Sequence, residues 1–421
     1  MQSSIKLRLT VMNFLQFAVW GAYLTSMGRY LGTAGFGSEI GNFYAMQGLV
    51  SLFMPALMGI VADRWIPAQR LLGVCHMLAG MLMLGVFLYT QTDTPSYPTL
   101  FALYSLSVAF YMPTLALSNS VAYTSLDQAG LDLVKSFPPI RVFGTVGFIC
   151  TMIAVSLLGL EATSGQFAVS AIISLVLAVY AQTLPNCPTA PKGQSKSLVE
   201  ALGLRAFVLF KQRKMALFFI FSMLLGVSLQ ITNGFANPFI STFGEIPAYA
   251  DTFGVKYANI LISLSQLSET LCILLIPFAL RRFGIRRVML IAMVAWVLRF
   301  ALLGLGNPGN GVWLFLLSMI VYGVAFDFFN VSGSLFVDKE TDPSIRSSAQ
   351  GLFMIMTNGI GATLGSLGAQ AVINRFVYSQ SEATAILSGW TTSWYVFAAY
   401  AAVVAVLFAL LFRYNTATEA K

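Results

Sequence analysis

Two carboxylates stand inside apolar stretches of this chain. Asp327 lies in Y-G-V-A-F-D-F-F-N (322–330), within an apolar run over about 312–337, and Glu269 lies in S-Q-L-S-E-T-L (265–271). An ionised side chain at bilayer depth costs about 3 kcal/mol or more, and such residues usually face a bundle interior or a water-filled path. Two chemistries suit them. A carboxylate accepts hydrogen bonds from a vicinal diol, and it can pick up and release a proton, because desolvation favours the neutral acid while a nearby cation or bound ligand favours the charged form. The second property makes the charge state depend on which side of a membrane is open.

Amides accompany both acids. Gln230 and Asn233, Gln266 and Glu269, and Phe326, Asp327 and Asn330 fall three or four residues apart on three different segments, and such residues are neighbours on a helix face. Amide hydrogen bonds between membrane helices, worth roughly 0.6 kcal/mol each, would explain one such pair. Three pairs with two carboxylates argue for a polar substrate site. Tyr322, Phe326, Phe148 and Trp20 add flat faces on which an aromatic ligand can stack. Aromatics at helical spacing are mostly packing, but with amides and acids they suit a ligand that has one aromatic and one hydroxyl-rich end. In F-P-P-I-R-V-F-G-T-V-G-F (137–148), Arg141, Thr145 and Phe148 form one stripe. Arg141 could be a counter-charge, a donor or an interfacial anchor; counting back from Glu161 favours the anchor, unless Pro138-Pro139 starts the helix deeper. Arg299, with no second polar position near it on its helix, reads as structural. So does His76, the only histidine, at the cytoplasmic edge of its span.

These residues need helices to position them. With 57% hydrophobic and 10% charged residues among 421, the chain is expected to be an all-α polytopic membrane protein. At about 20 apolar residues per span, twelve transmembrane helices are predicted: 9–30, 39–61, 71–90, 97–119, 139–160, 165–184, 214–238, 257–280, 287–305, 312–337, 347–372 and 388–412. The first exceeds a signal-peptide core and is expected to be retained. The +8 charge does not signal nucleic acid, because no basic run is interleaved with exposed aromatics. With both termini in the cytoplasm, nineteen of the 24 Lys and Arg fall inside and only Arg29, Lys256 and Arg375 outside, with Arg141 and Arg299 within spans. Four scattered cysteines imply neither a disulfide framework nor a metal site. No Walker loop, nucleophile elbow or Cys-His pair is present, so neither an enzyme nor an ATP-driven pump is expected.

The chain reads as two halves, 1–184 and 214–421, joined by a cytoplasmic linker, 185–213, in which 198–210 is expected to form a short helix along the membrane surface. A-D-R-W-I-P-A-Q-R (62–70) recurs as A-L-R-R-F-G-I-R-R (279–287), and Asn42 meets Asn259 at the same offset. Tyr111, Asn119 and Asp127 repeat the spacing of Tyr322, Asn330 and Asp338. Two related bundles around a midplane site is an architecture of secondary transporters. Asp327 aligns with Ala116 and Glu269 with Leu52, so both acids are peculiar to the second half. No Gly/Pro-interrupted segment of the kind a sodium site needs is evident.

At these residues the sequence resembles the bacterial nucleoside:H+ symporters, the NupG-type permeases of the major facilitator superfamily. The resemblance covers nearly the whole chain and is carried by M-P-A-L-M-G-I-V-A-D-R-W (54–65), 137–148, F-F-I-F-S-M-L-L-G-V-S-L-Q-I-T-N (218–233), 265–271 and S-M-I-V-Y-G-V-A-F-D-F-F-N (318–330). It implies the major facilitator fold, two six-helix bundles with a site between them, and import of purine or pyrimidine nucleosides by alternating access. The proton gradient would drive it, with no cofactor. It also implies a monomer in the bacterial inner membrane. Its substrate-contacting positions match Arg141, Thr145, Phe148, Gln230, Asn233, Gln266, Glu269, Tyr322, Phe326 and Asp327, with Asp327 and Glu269 as proton-coupling candidates. Val142-Phe143 stand where a Trp is expected after the arginine, and Gly234 replaces a larger residue. Asp63 and Arg64 are similar to the superfamily's cytoplasmic gating motif, although Ile66-Pro67 interrupt its usual continuation. A sugar:H+ symporter of the same fold is the alternative, since amides, acids and aromatics also suit sugars.

Overall fold

In lipid every backbone N–H and C=O of a spanning segment must be satisfied internally, and a helix achieves this alone. A computed structural model describes residues 2–189, 204–343 and 345–414, and the regular elements among them are all helical. Nine of these helices are long and apolar enough to cross a membrane. One of the nine, Ala258–Leu305, holds spans eight and nine together. Its course is Ala258–Cys272, a tight turn at Ile273–Leu275 and Ile276–Leu305, and it changes direction at Gly284, whose φ of 74° suits a residue without a Cβ. Span six is the shorter Gly165–Ala181, and span one comprises Gln2–Gly21 and Met27–Thr33. All twelve expected segments are therefore helical.

Several ends differ from the expectation. Span four continues to Gln128, so Asp127 is helical rather than in an exit loop. Span five starts at Leu133, which puts Pro138-Pro139 inside the helix and Arg141 in its third turn. The apolar run of span two breaks between Ile40–Ser51 and Met54–Arg64; Pro55 takes the first turn of the second piece, where a missing N–H costs nothing. Span eleven is Arg346–Met354, a π-helical stretch Ile355–Gly361, and Ala362–Phe376. Of the expected linker helix, 198–203 lie outside the described residues, and Leu204–Lys211 form a 3-10 helix.

The chain divides into two units, one of Met1–Tyr30 with Leu49–Leu202 and one of Leu31–Gly48 with Gly203–Lys421. Their internal helix pairings repeat. In the first unit span one packs on five, span four on two and three, and span three on six; in the second, seven packs on eleven, ten on eight and nine, and nine on twelve. Glycines permit the one–five and seven–eleven contacts. A Cβ on Gly147 would strike the Phe14 carbonyl, and one on Gly365 the Val227 backbone. Small residues let membrane helices approach to backbone distance in this way.

The core of the first unit includes Leu9, Met12, Leu72, Val121 and Leu126, all fully buried. Residues 31–48 are held in the second unit by span eleven. Gln370 Nε2 donates to the Gly37 carbonyl at 3.0 Å and its Oε1 accepts from the Gly41 N–H, while Asn374 Nδ2 donates to the Ser38 carbonyl at 3.2 Å. Thr363 Oγ1 reaches the Ala45 carbonyl at 3.4 Å.

Candidate functional site

In the second unit the helix Val312–Glu340 is fully helical through Asp327, which is 5% exposed. Its Oδ2 has no hydrogen-bond partner among the described residues. Glu269, half-buried on the neighbouring span eight, lies within electrostatic reach of both Asp327 and Tyr322. Spans eight and ten can approach because Gly323 lies against the Ser268 backbone, and Ser268 Oγ donates to the Ile320 carbonyl.

Tyr322 organises this group. Its hydroxyl lies near the Gln266 side chain, its ring stacks on Phe326 with centroids 5.6 Å apart and 15° between planes, and Trp296 meets it edge-on at 5.9 Å. The Arg299 guanidinium lies 4.4 Å from the ring centroid. Arg299 is 2% exposed; its Nη1 donates to the Ser318 carbonyl at 2.8 Å and to Ser265 Oγ at 3.4 Å, and its Nε is unpartnered among the described residues. These contacts match the structural role expected for Arg299 and tie span nine to its neighbours. Its partners come from spans eight and ten.

On span seven, Asn233 Nδ2 donates to Gln230 Oε1 at 2.9 Å, the same-face contact expected from their spacing. One turn on, Asn237 Nδ2 donates to Asn259 Oδ1 at 2.9 Å and joins spans seven and eight. The structure thus gathers Gln266, Glu269, Tyr322, Phe326 and Asp327, and it pairs Gln230 with Asn233.

Arg141, Thr145 and Phe148 belong to the first unit. The Arg141 guanidinium stacks 4.0 Å from the Phe17 centroid, a cation–π contact rather than the open interfacial position of an anchor. Phe148 is 6% exposed and meets Trp20 edge-on at 6.3 Å, and Trp20 in turn lies 6.0 Å from Tyr111. Asp63 and Arg64 end the helix Met54–Arg64, with Asp63 half-buried and Arg64 exposed.

One network was not anticipated. His76 is fully buried rather than at an edge. Its Nε2 is 2.8 Å from Gln16 Oε1 and its Nδ1 3.0 Å from Ser174 Oγ. Gln16 Nε2 donates to Thr114 Oγ1 at 2.7 Å, leaving its Oε1 to face His76 Nε2, and Ser174 Oγ donates to the His76 carbonyl at 2.9 Å. The spacing of Asn13 and Gln16 on span one was the available signal. With both ring nitrogens occupied, His76 braces spans one, three and six.

A bundle of twelve apolar helices in two units with repeated pairings, and an acid, amide and aromatic cluster at mid-helix, defines a secondary membrane transporter of the major facilitator fold. The sequence pattern of the nucleoside H+ symporters matches residues 3–417. The chain is 50% identical to a xanthosine permease of Escherichia coli (strain K12) and 47% identical to the nucleoside permease NupG of the same organism, each time over 98% of this chain and 97% of the relative. The crystal structure of the nucleoside transporter NupG matches with a TM-score of 0.89 at 45% identity, covering 98% of this chain and 100% of that one. The chain therefore belongs to the nucleoside H+ symporter family: it is a multi-pass membrane protein that imports nucleosides with protons, and not an enzyme.

Proposed function

We propose that Asp327 and Glu269 bind the ribose of the nucleoside and carry the coupled proton. Gln230, Asn233 and Gln266 hydrogen-bond base or ribose, and Phe326 stacks on the base. In the first unit, Arg141 and Thr145 supply polar contacts and Phe148 a second stacking face, while Asp63 and Arg64 act in gating. The observation that carries this reading is the buried Asp327 oxygen without a partner. Burying a carboxylate oxygen is costly unless a donor or a proton meets it. A ribose hydroxyl supplies a donor and the membrane gradient supplies a proton, so ligand and proton act on one group. Their binding is then linked, and each changes the affinity for the other by the same factor. The protein works as a monomer in a bacterial cytoplasmic membrane with both termini in the cytoplasm; the distribution of Lys and Arg supports that orientation.

The test is counterflow and uptake of labelled uridine or adenosine in proteoliposomes, with and without a pH gradient, and with free sugars as competitors. Saturable uptake that rises with an inward proton gradient and resists sugars is expected. Uptake indifferent to the gradient would remove the coupling, and competition by sugars would remove the nucleoside assignment.

A further inference from the structure

Tyr322, Phe326, Asn330 and Ser334 follow one another at four-residue intervals on span ten, so they form a single track running from the depth of Asp327 toward the Glu340 end. Beyond Phe326 this track and span eleven line an open cleft of about 240 Å³, with Asn330, Ser334, Gln350, Phe353 and Asn358 among its walls. A water molecule's share of liquid volume is about 30 Å³, and small-molecule sites begin at about 300 Å³. At about 240 Å³ the space falls below that range and is of the size of part of a ligand, such as a base.

Two of its polar residues are committed to each other. Ser334 Oγ donates to Gln350 Oε1 at 3.1 Å, and Gln350 Nε2 donates to the Ser334 carbonyl at 2.7 Å. The other two are not. Among the described residues the Asn330 side chain makes no hydrogen bond, and the Asn358 side chain makes only a 3.6 Å contact from Nδ2 to Met354 Sδ. Asn358 sits in the π-helical stretch Ile355–Gly361. Such wide turns are rare and occur frequently at functional sites. A ring at one end and two amides with donors and acceptors to spare match the faces and edges of a nucleobase.

We propose that this cleft is a second nucleoside subsite, in which Phe326 stacks on the base and Asn330 and Asn358 pair with its edge after the nucleoside leaves Asp327. This rests on the nucleoside reading above. The end of span ten toward which it lies is the one the basic residues assign to the cytoplasm, so the subsite would serve release.

The experiment compares full-length wild type with Asn330→Ala and Asn358→Ala, and with the isosteric Asn330→Asp and Asn358→Asp, in proteoliposome uptake of labelled uridine and in equilibrium binding of uridine to the purified protein. The expected result is a maximal rate lowered about fivefold per lost hydrogen bond, with KM and equilibrium affinity little changed; Asn330→Gln should restore part of the rate. A raised KM with an unchanged maximal rate would place both residues in the first contact site and overturn the second subsite. So would variants indistinguishable from wild type. Absence of uridine transport by the wild type would instead overturn the nucleoside reading itself. If the alanine variants lose their thermal transition, the aspartate variants carry the decision.

Discussion

Tyr322 makes three different kinds of contact, and substitutions can take them apart. Tyr322→Phe keeps the stack on Phe326 and the face offered to Arg299 but removes the hydroxyl that lies near Gln266 and can bond there or to ligand. One hydrogen bond is worth about 1 kcal/mol, or about a fivefold loss of uridine affinity in equilibrium binding. Tyr322→Leu also strips a buried cation of its aromatic partner, a contact worth up to about 2 kcal/mol when desolvated, so its loss of affinity should exceed tenfold and its thermal midpoint should fall. Equal effects of the two variants would show that the hydroxyl, not the ring, is what matters. For the acids the prediction concerns kind rather than size. Asp327→Asn and Glu269→Gln are each measured in exchange and in gradient-driven accumulation. The proton carrier's variant keeps exchange and loses accumulation, whereas a carboxylate needed only for binding loses both. The acids, the amides and the stacked ring were legible because each announces itself on its own helix. The structural role of Arg299 was legible but its partners were not, because its bonds run to Ser318 and Ser265 across helices, and no spacing within span nine reveals them.

At the scale of the helix, hydropathy reports where lipid ends and not where the helix ends. Span four was expected to stop at 119 because S-N-S-V-A-Y-T-S-L-D-Q (118–128) is polar, yet the helix runs through it to Gln128. Polar residues interrupt partition into lipid without interrupting the i to i−4 ladder. The same limit hid the merger of spans eight and nine, since R-R-F-G-I-R-R reads as a loop by charge while only Gly284 leaves helical geometry. The π-helical stretch has no composition of its own and could not be read at all. Helix contacts are testable through the glycines of span eleven. A side chain at Gly365 would collide with the backbone of Val227, whereas one at Gly368 would meet nothing within 4 Å. Gly365→Val is expected to cost about 1–3 kcal/mol, as overpacking does, and to lower the melting temperature in detergent. Gly368→Ala should leave it unchanged. Similar melting for both would mean that spans seven and eleven do not pack at backbone distance.

For the whole molecule, the repeated helix pairing shows a shared plan, and the polar residues show where the halves have diverged. The first unit links His76, Gln16 and Thr114 by hydrogen bonds, while the second holds a buried carboxylate, Asp327, with one oxygen unpartnered among the described residues. The duplication was visible in the paired motifs at 62–70 and 279–287. The grouping of residues 31–48 with the second unit was not, because it depends on the backbone of Gly37, Ser38 and Gly41 meeting Gln370 and Asn374.

That grouping has a consequence for biogenesis. Gly41 and its partner Gln370 are 329 residues apart, and a ribosome adding about 5–20 residues per second needs on the order of half a minute to bridge them. During that interval the start of span two is in the membrane without the helix that will cover it, a window in which an insertase or lipid must stand in. Nascent chains carrying Ala45→Cys and arrested before residue 363 should react with a maleimide that complete chains exclude. Equal labelling of the two would mean that this segment is sheltered from the moment it is inserted.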